Sequence, residues 1–276
     1  MTMTSAGRAL SVTDFFDGDA ANWDTYYERD DLFSVIHQHR RSMALAWVDE
    51  LKLPDGARVL EVGCGTGLFA IDLAQRGFRV TAVDSAARML ARARANIAAA
   101  KVVDRIALVR ADSERLPLSR ESFDLVVALG LVPWVPSPAN TLTEMVGMLI
   151  PGGRLVVNCD NRRRLAVLLD PRYTPPLAGV RWLFKRLRRR DRALDQPITG
   201  THRHVPSEFD ALLAEVGAPV ERSLTFGFGP FTLLGREALP SRAGLVAHRG
   251  LQRLAEAGTP GLWSTGAQYM VRAVRA

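Results

Sequence analysis

The amino-acid sequence predicts an α/β chain with a parallel, doubly wound sheet. Three observations predict it. Short apolar runs alternate with helical stretches between residues 58 and 159, the order that lays strands side by side with helices across both faces. One of these runs, 123–129, is apolar without interruption from Leu125, as a strand buried on both faces requires. Glycine and proline stand at the joints, in Pro54-Asp55-Gly56, at Gly77 and in Pro151-Gly152-Gly153.

Residues 1–10 are short, polar and rich in small residues, without the apolar core of a secretory signal, and read as a disordered tail. Residues 15–51 read as helical, with Trp23, Tyr26 and Tyr27, then Leu32, Val35 and Ile36, then Met43, Ala46 and Trp47 at mixed spacings of three and four. Strands are expected at 58–62, 79–83, 106–110, 123–129 and 154–159, with helices at 67–75, 86–100 and 138–149 between them. After Asp160 the alternation pauses. Residues 161–204 are rich in Arg and Pro and too long for an ordinary connection. A helix at 206–216, a strand at 220–226, a glycine- and proline-punctuated stretch at 227–240, an amphipathic helix at 242–257 and a last strand at 268–274 complete the chain. The domain plan is a tail and helical cap over 1–55, then one domain over 56–276. A basic, lid-like insertion at 160–205 and a substrate-side insertion at 227–265 interrupt that domain.

With 47% hydrophobic and 24% charged residues, the 276-residue chain has a globular composition and can bury a sizeable core. No window approaches the run of about 20 apolar residues that spans a bilayer, and a cytoplasmic location is expected. Cys64 and Cys159 are too few for a disulfide framework and read as buried thiols; no ligand cluster for a metal is visible. The net charge is +7, and residues 181–192 (RWLFKRLRRRDR) alone hold seven basic side chains. Trp182, Leu183, Phe184 and Leu187 interleave with them. Such a segment can rest on an anionic membrane, meet RNA phosphates or form a solvated lid. Peripheral membrane contact through 181–192 is kept as a partner expectation, and nucleic acid is not.

The chemistry concentrates in Glu61-Val62-Gly63-Cys64-Gly65-Thr66-Gly67, between a strand and a helix, with Asp84 at the end of the next strand. Glycines let the chain turn tightly and a ligand approach the backbone, and the helix N-terminus offers unpaired N–H groups. A carboxylate at position 84 can accept both hydroxyls of a ribose. The dinucleotide fingerprint G-x-G-x-x-G would need glycine at 68, where Leu68 stands. Glu61 would also repel a pyrophosphate, whereas it suits a ligand with positive charge.

Five stretches in order carry a resemblance: 61–67; Val83-Asp84-Ser85 with 89–93; 111–117; 122–126; and 149–155. Together they resemble the motifs of the class I S-adenosylmethionine-dependent methyltransferases of small-molecule type. The resemblance implies a Rossmann-like, doubly wound, seven-stranded mixed sheet with an N-terminal helical cap and an insertion after the fifth strand. It implies S-adenosylmethionine as cofactor and S-adenosylhomocysteine as product. Gly63, Cys64 and Gly65 would line the methionine part, and Gly67 would allow close packing. Asp84 would hold the ribose hydroxyls, with Ser85 and Met89 against ribose and adenine. Asp112, with Ser113 or Glu114 beside it, would meet the adenine amino group. Leu129 and Gly130 would flank the donor methyl, and Tyr27 or Arg41 would close over the methionine end.

The segment after the fourth strand bears on the acceptor. Leu129-Gly130-Leu131-Val132-Pro133-Trp134 lacks the polar residue that nucleobase amino methylation calls for, and no cysteine is placed to attack a pyrimidine carbon. Pro133 and Trp134, extended by Phe228, Phe231 and Trp263, make an apolar wall. His202 and His204 are the preferred general-base candidates because histidine titrates near neutral pH, with His37 and His39 in the cap as others. The expectation is O-methylation of a small, hydrophobic or aromatic metabolite by in-line displacement. The alternatives are C- or N-methylation of a lipid-like, isoprenoid or natural-product substrate, an RNA methyltransferase, and an NAD(P)-dependent oxidoreductase, against which Leu68 and the motif order argue.

Overall fold

The structure is a computed structural model that describes residues 11–169, 202–233 and 236–276. The expected disordered tail at 1–10 and the basic segment 181–192, with most of the 160–205 insertion, lie outside the described residues. Five strands, β1 (Arg58–Val62), β2 (Arg79–Asp84), β3 (Ile106–Arg110), β4 (Phe123–Ala128) and β5 (Leu149–Asn161), are parallel. Between them run α3 (Leu68–Gln75), α4 (Ala87–Ala99) and α5 (Pro138–Met148), preceded by α1 (Val12–Asp19) and α2 (Leu32–Glu50) of the cap. The rest comprises α6 (Leu165–Leu168), β6 (Arg203–His204), α7 (Pro206–Glu215), β7 (Val220–Phe226), β8 (Thr232–Leu233), β9 (Arg236–Glu237), α8 (Ser241–Glu256) and β10 (Gln268–Val274). The sheet order is β3-β2-β1-β4-β5-β10-β7, with β10 antiparallel to both neighbours.

The sheet has eight strands, where seven were expected. The eighth, β6, is two residues long and pairs with the end of β5; a segment so short leaves no alternation to read. The β8–β9 hairpin inside 227–240 was unforeseen for the same reason. Strand β5 begins at Leu149 rather than 154, because Pro151-Gly152-Gly153 forms an irregularity in the register with β4 instead of ending the pairing. The cap is two helices and a 3-10 turn (Trp23–Tyr27), not one helical run. Ser11 caps α1, and Asp31 restarts the chain by accepting the Ser34 N–H at 3.0 Å.

Two cores sandwich the sheet. On one face Val59, Val80, Leu125, Val127 and Val156 pack against α2, α3 and α4; on the other Leu60, Val62, Val126, Leu155 and Val157 pack against α5 and α7. Each such side chain contributes roughly 1.5–3 kcal/mol of burial against about 1 kcal/mol for a hydrogen bond, so apolar packing holds the layers. Strand order reverses between β1 and β4, opening a crevice at their C-terminal ends.

Candidate active site

The turn after β1 is shaped by backbone geometry. Gly63, Gly65 and Gly67 have φ of +77°, +53° and +76°, a region that side chains disfavour. The Gly63 and Cys64 N–H groups donate to the Val83 carbonyl at 2.8 and 3.0 Å, tying the turn to β2. A Cβ on Gly67 would lie 3.1 Å from that of Ala93, so α4 sits directly on the turn. The Asp84 carboxylate accepts from Gly65 N–H at 2.8 Å and Ala86 N–H at 2.9 Å, and burial pushes its pKa up despite these donors.

Glu61 is 4% exposed, and its Oε2 has no hydrogen-bond partner among the described residues. Burial, then the neighbouring Asp84 and Asp72, push its carboxyl up to about 8. A turn whose glycines admit a ligand to the backbone, flanked by the buried Glu61 and the half-buried Asp84 carboxyls, fits a ligand with a ribose and a positive charge and opposes a phosphate.

The other predicted cofactor residues spread along the same crevice. Ser85 Oγ is 3.3 Å from Thr13 Oγ1 of α1, and Asp17 accepts the Arg88 N–H at 2.7 Å, so α1 lies across the end of β2. Met89 is buried with Ala20 and Ala86, with Phe16 and Trp23 packed against this group. Asp112 accepts the Glu114 N–H at 2.9 Å, Ser113 lies between them half-buried, and Glu114 accepts the Ser137 N–H at 2.7 Å. Arg41 pairs with Asp72 at 2.5 Å and donates to the Leu68 carbonyl at 3.2 Å, its guanidinium 5.6 Å from the Tyr27 ring. Leu129 is half-buried, and the Gly130 N–H donates to Asn158 at 2.7 Å.

A cavity of about 350 Å³ lies between α2, the end of β5, the turn after β7 and the start of α8. Leu32, Phe33, Ile36 and Phe231 give it apolar walls; Asp160, Arg164 and His37 give it polar groups. Burial pushes the Asp160 carboxyl up, opposed by Arg164, Arg203 and Arg40. Burial and Arg40 push His37 down to about 3. Its Nδ1 lies 2.8 Å from the Phe33 carbonyl, so the neutral ring donates there and leaves Nε2 as an acceptor.

Of the five predicted wall residues, the structure brings Phe231 to this cavity. Trp134 instead stacks on Phe15 at 5.7 Å and meets Phe16 edge-on at 5.3 Å, beneath α1. Pro133 is buried beside it, its carbonyl receiving the His202 N–H at 2.8 Å. Phe228 is buried with its N–H on His248, and Trp263, expected to extend the wall, is 61% exposed.

The preferred histidines are not brought to the cavity. β6 pairs Arg203 with Asp160 and His204 with Asn161. Alternation along β5 puts Asp160 on the α2 face and Asn161 on the α7 face, and the His204 ring accordingly lies 5.2 Å from Phe209. His202 precedes β6 and is not among the residues lining the cavity. His39 sits beside Glu256 at 3.6 Å.

Sequence reading missed Asp160 and Arg40. Arg40 was detectable: with Ile36, Ala44 and Trp47 it occupies the apolar stripe of a helix, where a cation is out of place.

Comparison with known proteins agrees with this geometry. The family model described as a methyltransferase domain matches residues 60–157. The chain is 28% identical over 213 residues to the ubiquinone biosynthesis O-methyltransferase of Pseudomonas putida (strain GB-1), covering 75% of this chain and 83% of that protein. It superposes on the magnesium protoporphyrin IX methyltransferase of Synechocystis PCC 6803, solved with bound SAH, with a TM-score of 0.64 at 17% identity, over 96% and 98% of the two chains. It superposes on the [4+2]-cyclase SpnF with a TM-score of 0.61 at 16% identity, over 98% and 99%. Both superpositions establish the shared fold.

Proposed function

We propose that this chain acts as a class I S-adenosylmethionine-dependent methyltransferase that methylates a hydroxyl oxygen of a small, largely apolar metabolite seated in the cavity between α2 and α8. The observation that carries the proposal is the cavity itself: apolar walls with a half-buried carboxylate, Asp160, among its polar groups. The printed name of the Pseudomonas putida relative, an O-methyltransferase, supports oxygen as the acceptor.

When bound, S-adenosylmethionine supplies a methyl group on sulfur, which an acceptor lone pair takes as the C–S bond breaks with its electrons left on sulfur. Glu61 with its unpartnered oxygen would face the cationic end, and the Gly63–Gly65 backbone the methionine part. Asp84 and Ser85 would hold the ribose. Met89, Asp112, Ser113 and Glu114 would border the adenine, and Leu129 and Gly130 the donor methyl. Tyr27 and Arg41, already held together against α3, would close the methionine end.

The chain has three further tasks: to align the acceptor, to exclude water and to take a proton. The walls from Leu32, Ile36 and Phe231 do the first two. Asp160, whose pKa is raised by burial, does the third. Neutral His37, pushed down to about 3, is a weaker base and offers its Nε2 as a hydrogen-bond acceptor.

The test is product analysis with S-adenosylmethionine and a panel of hydroxylated aromatic compounds. Asp160→Asn is expected to lower kcat by about 10²–10⁴-fold with little change in S-adenosylmethionine affinity. Methyl found on carbon or nitrogen, or full activity in Asp160→Asn, would defeat this reading.

A further inference from the structure

We propose that Gly244 sets the girth of the acceptor: the space that a side chain would fill at this position is taken by the apolar body of the bound metabolite. The inference rests on the reading of the cavity between α2 and α8 as the acceptor site, and adds to it the residue that selects by width.

Gly244 lies buried in the first turn of α8 and lines the cavity. Its N–H donates to the Pro240 carbonyl at 2.8 Å, the first bond of the helix. Its backbone is helical and its φ is not positive, so any residue could adopt its conformation. A glycine in a helix forfeits stability against alanine, because it has more chain entropy to lose and no side chain to pack. Three things can call for one all the same: a left-handed backbone, a close neighbour in the chain, or a ligand against the main chain. Gly229, the other glycine of the cavity walls, has the first two. Its φ is +124°, and a Cβ there would stand 2.6 Å from Leu32 Cδ2.

Gly244 has neither. A Cβ there would stand 3.7 Å from Phe231 Cδ2 and 3.8 Å from Leu32 Cδ2, ordinary van der Waals contact, so the protein itself has room for alanine. Phe231 and Leu32 are both walls of the cavity. The space left by the missing side chain therefore opens between two walls and belongs to the cavity. A metabolite there rests its apolar body between Leu32 and Phe231, on the bare main chain of α8. A methyl group at that point would meet the ligand and not the protein, and the clash would grow with the ligand's width. Gly250, six residues on in the same helix, provides the comparison: it is exposed, a Cβ there would meet nothing within 4 Å, and it does not line the cavity.

The experiment measures two things on the full chain: the melting temperature without ligand, and calorimetric affinity for a series of probes of growing width at saturating S-adenosylhomocysteine. The probes are phenol, 4-methylphenol, 4-isopropylphenol and 4-tert-butylphenol. Gly244→Ala is expected to raise the melting temperature by about 1–3 °C, as relief of a helical glycine should. The same variant should lose about tenfold or more in affinity for the widest probe that wild type binds, and less than about twofold for phenol. Gly250→Ala should raise the melting temperature as well and leave every affinity unchanged. A lower melting temperature or failure to fold in Gly244→Ala would show that the protein needs this glycine for itself, and would overturn the inference. Unchanged affinities in Gly244→Ala, a loss equal across the series, or a wild type that binds none of the probes would overturn it too. A graded loss without methylated product would uphold the role of Gly244 and sink only oxygen as the acceptor atom. A wild type that does not bind S-adenosylhomocysteine would sink the methyltransferase reading, and this inference with it.

Discussion

Asp84 is engaged before any ligand arrives. One oxygen holds the Gly65 N–H and the other the Ala86 N–H, so the residue proposed to grip the ribose also pins the glycine turn. Asp84→Ala removes both functions at once. With each hydrogen bond to a charged group contributing roughly 1.5–3 kcal/mol, S-adenosylmethionine affinity should fall at least about 100-fold, and calorimetry showing unchanged affinity would refute the role. At this scale the sequence was unevenly informative. Glu61, the three glycines and Asp84 form one continuous strand–turn–helix–strand unit, where local spacing reports local geometry. The acceptor side is assembled from α2, β5, the turn after β7 and α8, segments up to about 200 residues apart, and no spacing rule spans that distance. Asp160 stands out only after the chain has folded around it.

Among the elements, β6 decides most with fewest residues. Its register places Arg203 on the Asp160 face and His204 against Phe209, and a shift by one residue would exchange them. The preference for His202 and His204 rested on residue type and proximity to the insertion; the face they occupy depends on a two-residue pairing that residue type does not encode. His204→Ala should therefore leave kcat/KM within about twofold while lowering stability by about 1–3 kcal/mol, the range for a partly buried ring. A 100-fold loss of activity with an unchanged melting temperature would return His204 to the chemistry. The larger elements were legible because each is long enough to show a pattern: β1, β3, β7 and β10 match the expected bounds, and α3, α4 and α5 come within a residue at either end. The cap was legible as helical but not as broken, since aromatic spacing continues through the 3-10 turn while the interruption is set by the Asp31 cap.

For the whole molecule, the buried carboxyl at the turn couples folding, protons and ligand. Glu61 rises from 4.5 in the unfolded chain to about 8 in the folded one, so between those values the folded protein holds a proton that the unfolded chain has lost. Its contribution is complete below about 4.5 and is lost as pH rises through 8. His37, lowered from 6.5 to about 3, has the opposite sign: its contribution is present above 6.5 and is lost as pH falls toward 3. His248, lowered to about 4, behaves as His37 does. Between about 6.5 and 8 the two histidines are level and Glu61 still titrates. In that window the ligand-free protein should lose melting temperature as pH rises, and Glu61→Gln should flatten the slope. A cation beside Glu61 reverses the preference. S-adenosylmethionine binding near pH 7 should release protons, approaching about one per site, and S-adenosylhomocysteine, which lacks the sulfonium charge, should release fewer. Calorimetry in two buffers of different ionisation enthalpy measures the count. Equal proton release by wild type and Glu61→Gln would show that Glu61 does not meet the cofactor's positive charge, and the fit of this turn to a sulfonium would have to be abandoned.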